Sequence, residues 1–196
     1  LPPDINCGDS RFSVDGQSIR YGLSAIKSVG KSVIEDIVKE REEGGAYTTL
    51  NSFISRMSGK EVNKRTVENL IKAGALDCLE GNRRQKLLIY QQVMDSVQQE
   101  KKNSIDGQLS LLDLVGEEEK KDYIIQLPDV EEYAKETILA YEKEVLGIYI
   151  SGHPLEQYTE LLARNTTAKT SDFVPDEDTG LPNLLDGSKA VIGGMI

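Results

Sequence analysis

Residues 21–41 of the chain read YGLSAIKSVGKSVIEDIVKER. Their spacing predicts a short helix, a tight turn and a longer helix. The longer helix has an inner face that repeats every three or four residues, at Ile34, Ile37, Val38 and Arg41. Gly30 is placed in the turn, because glycine adopts backbone conformations that a side chain disfavours. Val29 lies between polar neighbours and is expected to anchor the turn in the core.

The start of the longer helix is a candidate anion site. The first backbone N–H groups of a helix have no partner within the helix, and here they belong to Gly30, Lys31 and Ser32. Lys31 adds a full positive charge. This pattern resembles a helix-hairpin-helix motif, which grips a nucleic-acid backbone without reading its sequence. An ordinary helical hairpin with a glycine turn explains the stretch alone equally well.

A second unit of the same kind follows between residues 63 and 97. Asn63 is suited to cap a helix whose inner face is Val67, Leu70 and Ile71. Gly74 then lies in a tight turn, and Asn82 begins a long helix with an inner stripe of Leu87, Tyr90, Met94 and Val97. Single units of this length bury too little apolar surface to be stable alone. We therefore expect a packed tandem pair, with Gly30 and Gly74 in equivalent positions.

The other elements predict a mainly α fold with little sheet. A β-hairpin is expected around Asp15-Gly16, and a short amphipathic helix over residues 50–57, capped by Thr48 or Thr49. A further helix is predicted across residues 131–149, with inner positions at Tyr133, Ile138, Tyr141, Val145 and Ile148. Pro154 suits the first position of a helix through residues 155–162. Residues 189–196 predict a terminal strand.

Charge divides the chain into a basic front and an acidic back. The 196 residues carry a net charge of −10, which taken whole argues against binding nucleic acid. Residues 20–103, however, have a net charge of +4, whereas residues 104–196 have −12. No apolar run reaches membrane-spanning length, so no membrane partner is expected. Two widely spaced cysteines predict neither a disulfide framework nor a zinc site and suit a cytoplasmic protein.

Four stretches together carry a resemblance to a known family. Residues 19–41, 63–77, 108–113 and 142–158 resemble the alpha subunits of bacterial DNA polymerase III, the C-family replicative polymerases. The block EKEVLGIYISGHPLEQY at 142–158 is the most specific of them. The resemblance implies an order of segments: the end of the fingers (1–20), a tandem helix-hairpin-helix module that holds duplex DNA (21–103), a linker with a sliding-clamp motif (104–128), a helical segment (129–165), and a connector with the first strand of an OB domain (166–196).

The resemblance also implies which residues contact DNA. The candidates lie at the two turns and at the helix starts beside them: Lys27, Ser28, Val29, Gly30, Lys31, Ser32, Lys64, Arg65, Lys72, Gly74, Arg83 and Arg84. Product DNA of any sequence must be held, so backbone amides and cations directed at phosphates suffice. Ser28 stands where the usual hairpin has glycine, which puts the geometry of the first turn in question.

An apolar island in the linker implies a protein partner. Gln108, Leu109, Ser110, Leu111 and Leu112 resemble the peptide that docks on the beta sliding clamp, although Leu112 stands where an aromatic residue often sits. A buried loop anchor is the other interpretation of this island. The parent protein implied is a DNA-directed DNA polymerase that works with other holoenzyme subunits. Its catalytic aspartates and Mg²⁺ belong to a palm upstream of residue 1, so no catalytic residue, metal or cofactor is assigned here.

Two other functions remain open from the sequence. One is a DNA-repair or structure-specific module built on tandem helix-hairpin-helix units, which would require neither the clamp peptide nor the downstream Gly-His-Pro block. The other is a helical scaffold that binds only protein. Salt-dependent binding of duplex DNA by residues 20–103 separates the scaffold from both DNA-binding functions.

Overall fold

The computed structural model describes residues 1–105, 125–175, 180–184 and 186–195. The predicted clamp peptide at 108–112 lies outside these residues. The chain forms two compact units, Leu1–Ser151 and Gly152–Ile196, here called unit 1 and unit 2. Their boundary falls inside the segment 129–165 that the sequence predicted as one piece, and unit 1 includes residues from both sides of the predicted linker.

Unit 1 is mainly helical, as predicted. Two short antiparallel strands, β1 (Ser13–Asp15) and β2 (Ser18–Arg20), lead into a 3₁₀ turn at Leu23–Ala25. The helices described in this unit are α1 (Lys31–Gly44), α2 (Leu50–Met57), α3 (Lys64–Lys72), α4 (Arg83–Ile105) and α5 (Lys135–Leu146). The predicted short first helix is thus a single 3₁₀ turn.

The small hairpin turns one residue later than predicted. Its turn is Gly16-Gln17 rather than Asp15-Gly16, because Asp15 pairs with Ser18 across the strands. The Asp15 carboxylate also accepts a hydrogen bond of 2.6 Å from Arg20 Nη2, which holds Asp15 in the ladder. Gly16 has a φ of 62°, the conformation for which glycine is preferred in such turns.

The apolar faces of α1 to α4 meet in one core. Ile37, Phe53, Leu70 and Val93, one from each helix, are completely buried. Burying each such side chain contributes about 1.5–3 kcal/mol before the cost of ordering the chain. Two predicted caps are confirmed: the side chain of Thr49 accepts from Ser52 N at 3.1 Å, and that of Asn63 accepts from Thr66 N at 3.0 Å.

Helix α5 is shorter than predicted, and its buried face is different. It ends where Gly147 adopts a left-handed φ of 79°. Its buried residues are Leu139, Glu142, Val145 and Leu146, so of the predicted inner positions only Val145 is confirmed as buried. Tyr133 precedes the helix and Ile148 follows it, 40% exposed, because both fall outside the helical repeat.

Unit 2 consists of short helical segments. They are 3₁₀ turns at Glu156–Tyr158 and Thr170–Phe173, with α6 (Thr159–Asn165) between them, so regular helix starts later than Pro154. The predicted terminal strand is wrong for the described residues 189–195, which form no strand. Their pairing is confined to Val191, whose carbonyl accepts from Thr167 N at 2.9 Å and Ala168 N at 3.3 Å. Hydrogen bonds at a single residue do not make a ladder.

Candidate nucleic-acid interface

The first turn owes its conformation to Ser28. Ser28 has a φ of 63°, whereas Gly30 is extended, with φ −74° and ψ 156°. The prediction that Gly30 provides the special turn conformation is therefore wrong, and Gly30 is the N-cap of α1. Val29 packs into the core as predicted, with 9% of its surface exposed. A left-handed conformation costs a residue with a side chain roughly 1–2 kcal/mol.

We expect the substitution Ser28→Gly to stabilise unit 1. Glycine removes the cost of the left-handed φ, and the greater freedom of the unfolded chain offsets part of this gain, leaving about 0.5–1 kcal/mol. Chemical denaturation measures the difference. Gly30→Ala is the matched control: its φ is compatible with alanine, and losing a glycine N-cap should cost at most about 1 kcal/mol. A destabilised Ser28→Gly variant would contradict the assignment.

The start of α1 is open. Within the described residues, no side chain is found to cap its first amides, and Gly30 is exposed. Lys31 is highly exposed, and its ion pair with Glu35, at 3.4 Å, joins two well-exposed side chains. Such a pair contributes little and leaves the ammonium available. Ser32 Oγ donates to Glu61 Oε2 at 2.5 Å, so that hydroxyl is already engaged.

Two neighbouring helices, α3 and α5, hold the first turn in place through hydrogen bonds. Asn69 Nδ2, on α3, donates to the Lys27 carbonyl at 2.6 Å, and Thr66 Oγ1 donates to the Ser28 carbonyl at 3.4 Å. Lys27 N and Nζ donate to the Val145 and Glu144 carbonyls of α5 at 2.9 and 2.6 Å. The Lys27 ammonium is thus directed at the end of α5, where a cation is favoured by the helix dipole.

The start of α3 lies beside the first turn, because Thr66 contacts Ser28. Two predicted cations occupy this start. Lys64 forms an ion pair with Asp95, with Nζ and Oδ1 2.8 Å apart on the surface. Arg65 is exposed and has no ion pair or hydrogen bond with another side chain in the described part of the chain. The open amides of α1, Lys31 and Arg65 therefore lie on two adjoining helix starts.

The second turn has the conformation that the sequence predicted. Gly74 has a φ of 79°, and the chain reverses through two hydrogen bonds, Gly74 N to the Ile71 carbonyl and Ala75 N to the Leu70 carbonyl, each 3.0 Å. This pair is the Schellman motif that ends α3. A Cβ at Gly74 would lie 2.3 Å from Arg83 Nη2, so the position needs glycine for both conformation and space.

Arg83 and Lys72 are not presented to solvent, in contrast to their prediction as phosphate contacts. Arg83 is 4% exposed and pairs with Asp77 at 2.7 Å and Glu142 at 3.2 Å. Burial acts to lower the pKa of Arg83, but its carboxylate partners raise it above the ordinary value. Lys72 lies between Glu68, at 2.9 Å, and Glu144, at 3.2 Å. The positive charges of Arg83 and Lys72 are therefore paired with carboxylates of this chain.

The start of α4 differs from that of α1. Asn82 and Gln85 cap each other reciprocally, with both backbone-to-side-chain distances 2.8 Å. The carboxylate of Glu132 accepts from the next two amides, those of Arg83 and Arg84. The exposed guanidinium of Arg84 lies 5.7 Å from the centre of the Tyr133 ring. The second helix start is therefore occupied by groups of this chain.

Sequence reasoning missed the acidic residues that organise the second turn. Glu142 is completely buried and accepts from Ile150 N at 2.8 Å and Ser151 N at 2.9 Å, besides pairing with Arg83. Burial acts to raise the pKa of Glu142, but these hydrogen bonds and Arg83 lower it below the ordinary carboxyl value. One feature of the sequence could have indicated that Glu142 is buried: it occupies an inner position of the helical repeat, between Leu139 and Val145.

Comparison with known proteins assigns the family. A family model described as a helix-hairpin-helix motif matches residues 1–86. The alpha subunit of DNA polymerase III from Deinococcus radiodurans is 38% identical over 198 residues, covering 100% of this chain and 14% of the relative. The same subunit from Mycobacterium tuberculosis is 34% identical over 205 residues, covering 100% of this chain and 16% of the relative. This chain belongs to the DNA polymerase III alpha-subunit family.

The chain spans a small part of its relatives in that family. The alpha subunit of DNA polymerase III from Chlamydia pneumoniae, 34% identical over 174 residues, is likewise covered to 14% of its length. Within the described residues, no helix of this alpha-subunit segment has the length and apolar character needed to cross a bilayer. The same residues contain no group of three or more His, Cys, Asp or Glu placed to hold a metal ion.

Proposed function

We propose that unit 1 holds the backbone of duplex DNA during replication by a bacterial DNA polymerase. The observation that carries this proposal is the open start of α1 at the turn of a helix-hairpin-helix. Uncapped amides at a helix start bind phosphate oxygens, and Lys31 adds charge at the same place. Membership of the alpha-subunit family supports DNA as the ligand.

The surface charge supports contact at the first turn rather than a broad basic face. Many cations of residues 20–103 are already paired within the protein. Among them, Lys27, Lys60, Lys72, Arg41, Arg56 and Arg83 contact carboxylates or carbonyls. Among the predicted cations within the described residues, Lys31, Lys64 and Arg65, at the starts of α1 and α3, remain on the surface with at most an exposed ion-pair partner, and Arg84 is exposed at the start of α4. Contacts of this kind go to phosphate and carry no base sequence information.

We expect Arg65→Ala to weaken duplex binding equally for all sequences. The loss of one phosphate contact should reduce the slope of log affinity against log salt by about 1. Fluorescence anisotropy with two unrelated duplexes over a salt series measures both quantities. Lys39→Ala, which removes an exposed cation near the other end of α1, is the matched control and should leave the slope unchanged. Absence of duplex binding at low salt would instead favour the protein-only scaffold.

We propose that residues 108–112 dock on the beta sliding clamp. The residues on both sides of the predicted linker belong to unit 1, so the peptide is tethered at both ends to the proposed DNA-holding unit. A clamp that encircles the same DNA would then meet the peptide at a high effective concentration, which compensates for the modest affinity of a short segment.

We expect the double substitution Leu111→Ala with Leu112→Ala to abolish clamp binding and to leave thermal melting unchanged. The leucines should fill an apolar pocket on the clamp, and truncation removes that buried surface. Surface plasmon resonance on immobilised clamp, alongside melting curves, measures the two effects. Leu88→Ala, which truncates an exposed leucine on α4, is the control. A large fall in melting temperature would favour the buried loop anchor.

For the whole protein we propose template-directed DNA synthesis in the cytoplasm, together with other holoenzyme subunits. The catalytic carboxylates and their Mg²⁺ would then belong to a part of the polymerase outside this chain. This segment would contribute the grip on product DNA and the link to the clamp, and would hold no cofactor of its own.

A further inference from the structure

The start of α4 contains an anion of this chain where a phosphate would bind. Glu132 Oε2 accepts from Arg83 N at 2.8 Å, and Glu132 Oε1 accepts from Arg84 N at 3.2 Å. Two oxygens of one anion on consecutive amides at a helix start reproduce the way such sites bind phosphate. The carboxylate comes from a residue 49 positions away from Arg83 in the chain, so it is a tertiary contact and not a local cap.

The segment just before Glu132 is anchored to the start of α4 and to the turn that precedes it. Gln85 Nε2 donates to the Pro128 carbonyl at 2.8 Å, and Asn82 Nδ2 donates to the Val130 carbonyl at 3.0 Å. Leu127 packs against Gly81, where a Cβ would lie 2.5 Å from Leu127 Cδ1. Because the backbone is held on the first turn of α4, Glu132 is delivered to the amides with little loss of freedom.

The charges around the second turn also disfavour an incoming phosphate. Arg83 is turned inward to Asp77 and Glu142, and Lys72 is held between Glu68 and Glu144. A phosphate would therefore meet carboxylates, and of the described cations at this turn the exposed Arg84 is the one left to neutralise it. The phosphate and these carboxylates carry the same sign of charge, so they would repel each other, and partial desolvation strengthens that repulsion.

We propose that Glu132 is an internal phosphate mimic that closes the second hairpin to DNA, so that the first turn alone grips the backbone. Two hairpins that the sequence predicts to be of the same kind thus have different partners: the first is open to an external phosphate, and the second binds the chain that follows the linker. The statement about DNA rests on the function proposed above, whereas the statement that Glu132 fills an anion site does not.

The first test compares Glu132→Ala with Glu131→Ala in the full chain by thermal melting. In chloride, we expect Glu132→Ala to melt roughly 2–4 °C lower than the parent, the change that corresponds to losing one favourable charge contact at a helix start. Inorganic phosphate at the same ionic strength should restore most of this loss, because it can occupy the vacated amides. The open start of α1 is common to all three proteins, so the phosphate-induced rise in melting temperature should be larger for Glu132→Ala than for the parent or for Glu131→Ala, which keeps the Glu132 carboxylate. No restoration by phosphate would overturn the mimic.

The second test measures duplex binding of the same variants over a salt series. With the site open, Glu132→Ala should bind duplex more tightly than the parent, with a salt slope steeper by about 1, for one added phosphate contact. Suppose that phosphate restores the melting temperature of Glu132→Ala while the salt slope of its duplex binding equals that of the parent. That result would overturn the proposal that Glu132 closes the second hairpin to DNA. If neither parent nor variant binds duplex, the proposed function fails while melting still decides the role of Glu132. Should Glu132→Ala not fold, Glu132→Gln, which lacks the charge, takes its place in both measurements.

Discussion

Replacing Glu142 by alanine is expected to destabilise unit 1 by about 3–5 kcal/mol, the usual result of removing one partner of a buried ion pair. The substitution leaves the guanidinium of Arg83 buried with Asp77 as its remaining carboxylate. It also leaves the amides of Ile150 and Ser151 without their acceptor. Urea denaturation followed by circular dichroism measures the loss.

The control for this prediction is on the same helix. Glu136 is exposed in the first turn of α5, and Glu136→Ala should cost less than about 1 kcal/mol. A cost of that small size for Glu142→Ala would contradict the role assigned to the buried pair.

The contribution of Glu142 to the free energy of unfolding should decrease as the pH is lowered. Its folded-state pKa lies below the ordinary value of 4.5, so the ionised form is favoured by folding. This contribution is fully present above the pKa of the unfolded chain and is lost as the pH falls through the folded-state pKa. The difference in stability between the parent and Glu142→Gln should therefore shrink as the pH is lowered below about 4.5, whereas a difference that is constant with pH would contradict the charge role.

Gly74→Val is expected to destabilise unit 1 by at least about 3 kcal/mol and to abolish duplex binding as the module unfolds. Valine at a φ of 79° is strained, and its Cβ would lie 2.3 Å from Arg83 Nη2. The guanidinium would have to leave Asp77 or the turn would have to open.

A control variant separates the backbone strain of valine at a left-handed φ from the cost of displacing Arg83. Gly147 has the same φ of 79°, but nothing lies within 4 Å of a Cβ built there. Gly147→Val should therefore cost only the strain, on the order of 1–3 kcal/mol. Melting curves of both variants give the difference. Equal losses of stability in the two variants would show that valine at residue 74 does not have to displace Arg83. Unchanged melting of Gly74→Val would show that residue 74 does not lie in a tight turn.

The features that sequence reasoning predicted well are those that depend on local spacing. The inner positions of α2 and α3, the caps at Thr49 and Asn63, and the glycine turn at Gly74 are all confirmed. Each depends on side chains or backbone within a few residues, so periodicity and cap preference are sufficient to find it. The failures at α5 and at residues 189–195 have the opposite cause, since neighbours distant in sequence decide which face is buried and whether a strand finds a partner.

A mainly helical chain with two hairpins, and its family resemblance, can be predicted from residue order, because apolar spacing and motif residues are properties of neighbouring positions. Which charges remain available to a ligand depends instead on the three-dimensional packing. Lys72 and Arg83 look like surface cations in a basic front, yet carboxylates of the acidic back pair with them in unit 1. The same packing also decided that Ser28 takes the left-handed position and that Glu132 covers the start of α4. Charge pairing across the linker depends on distances in space, which residue order does not encode locally.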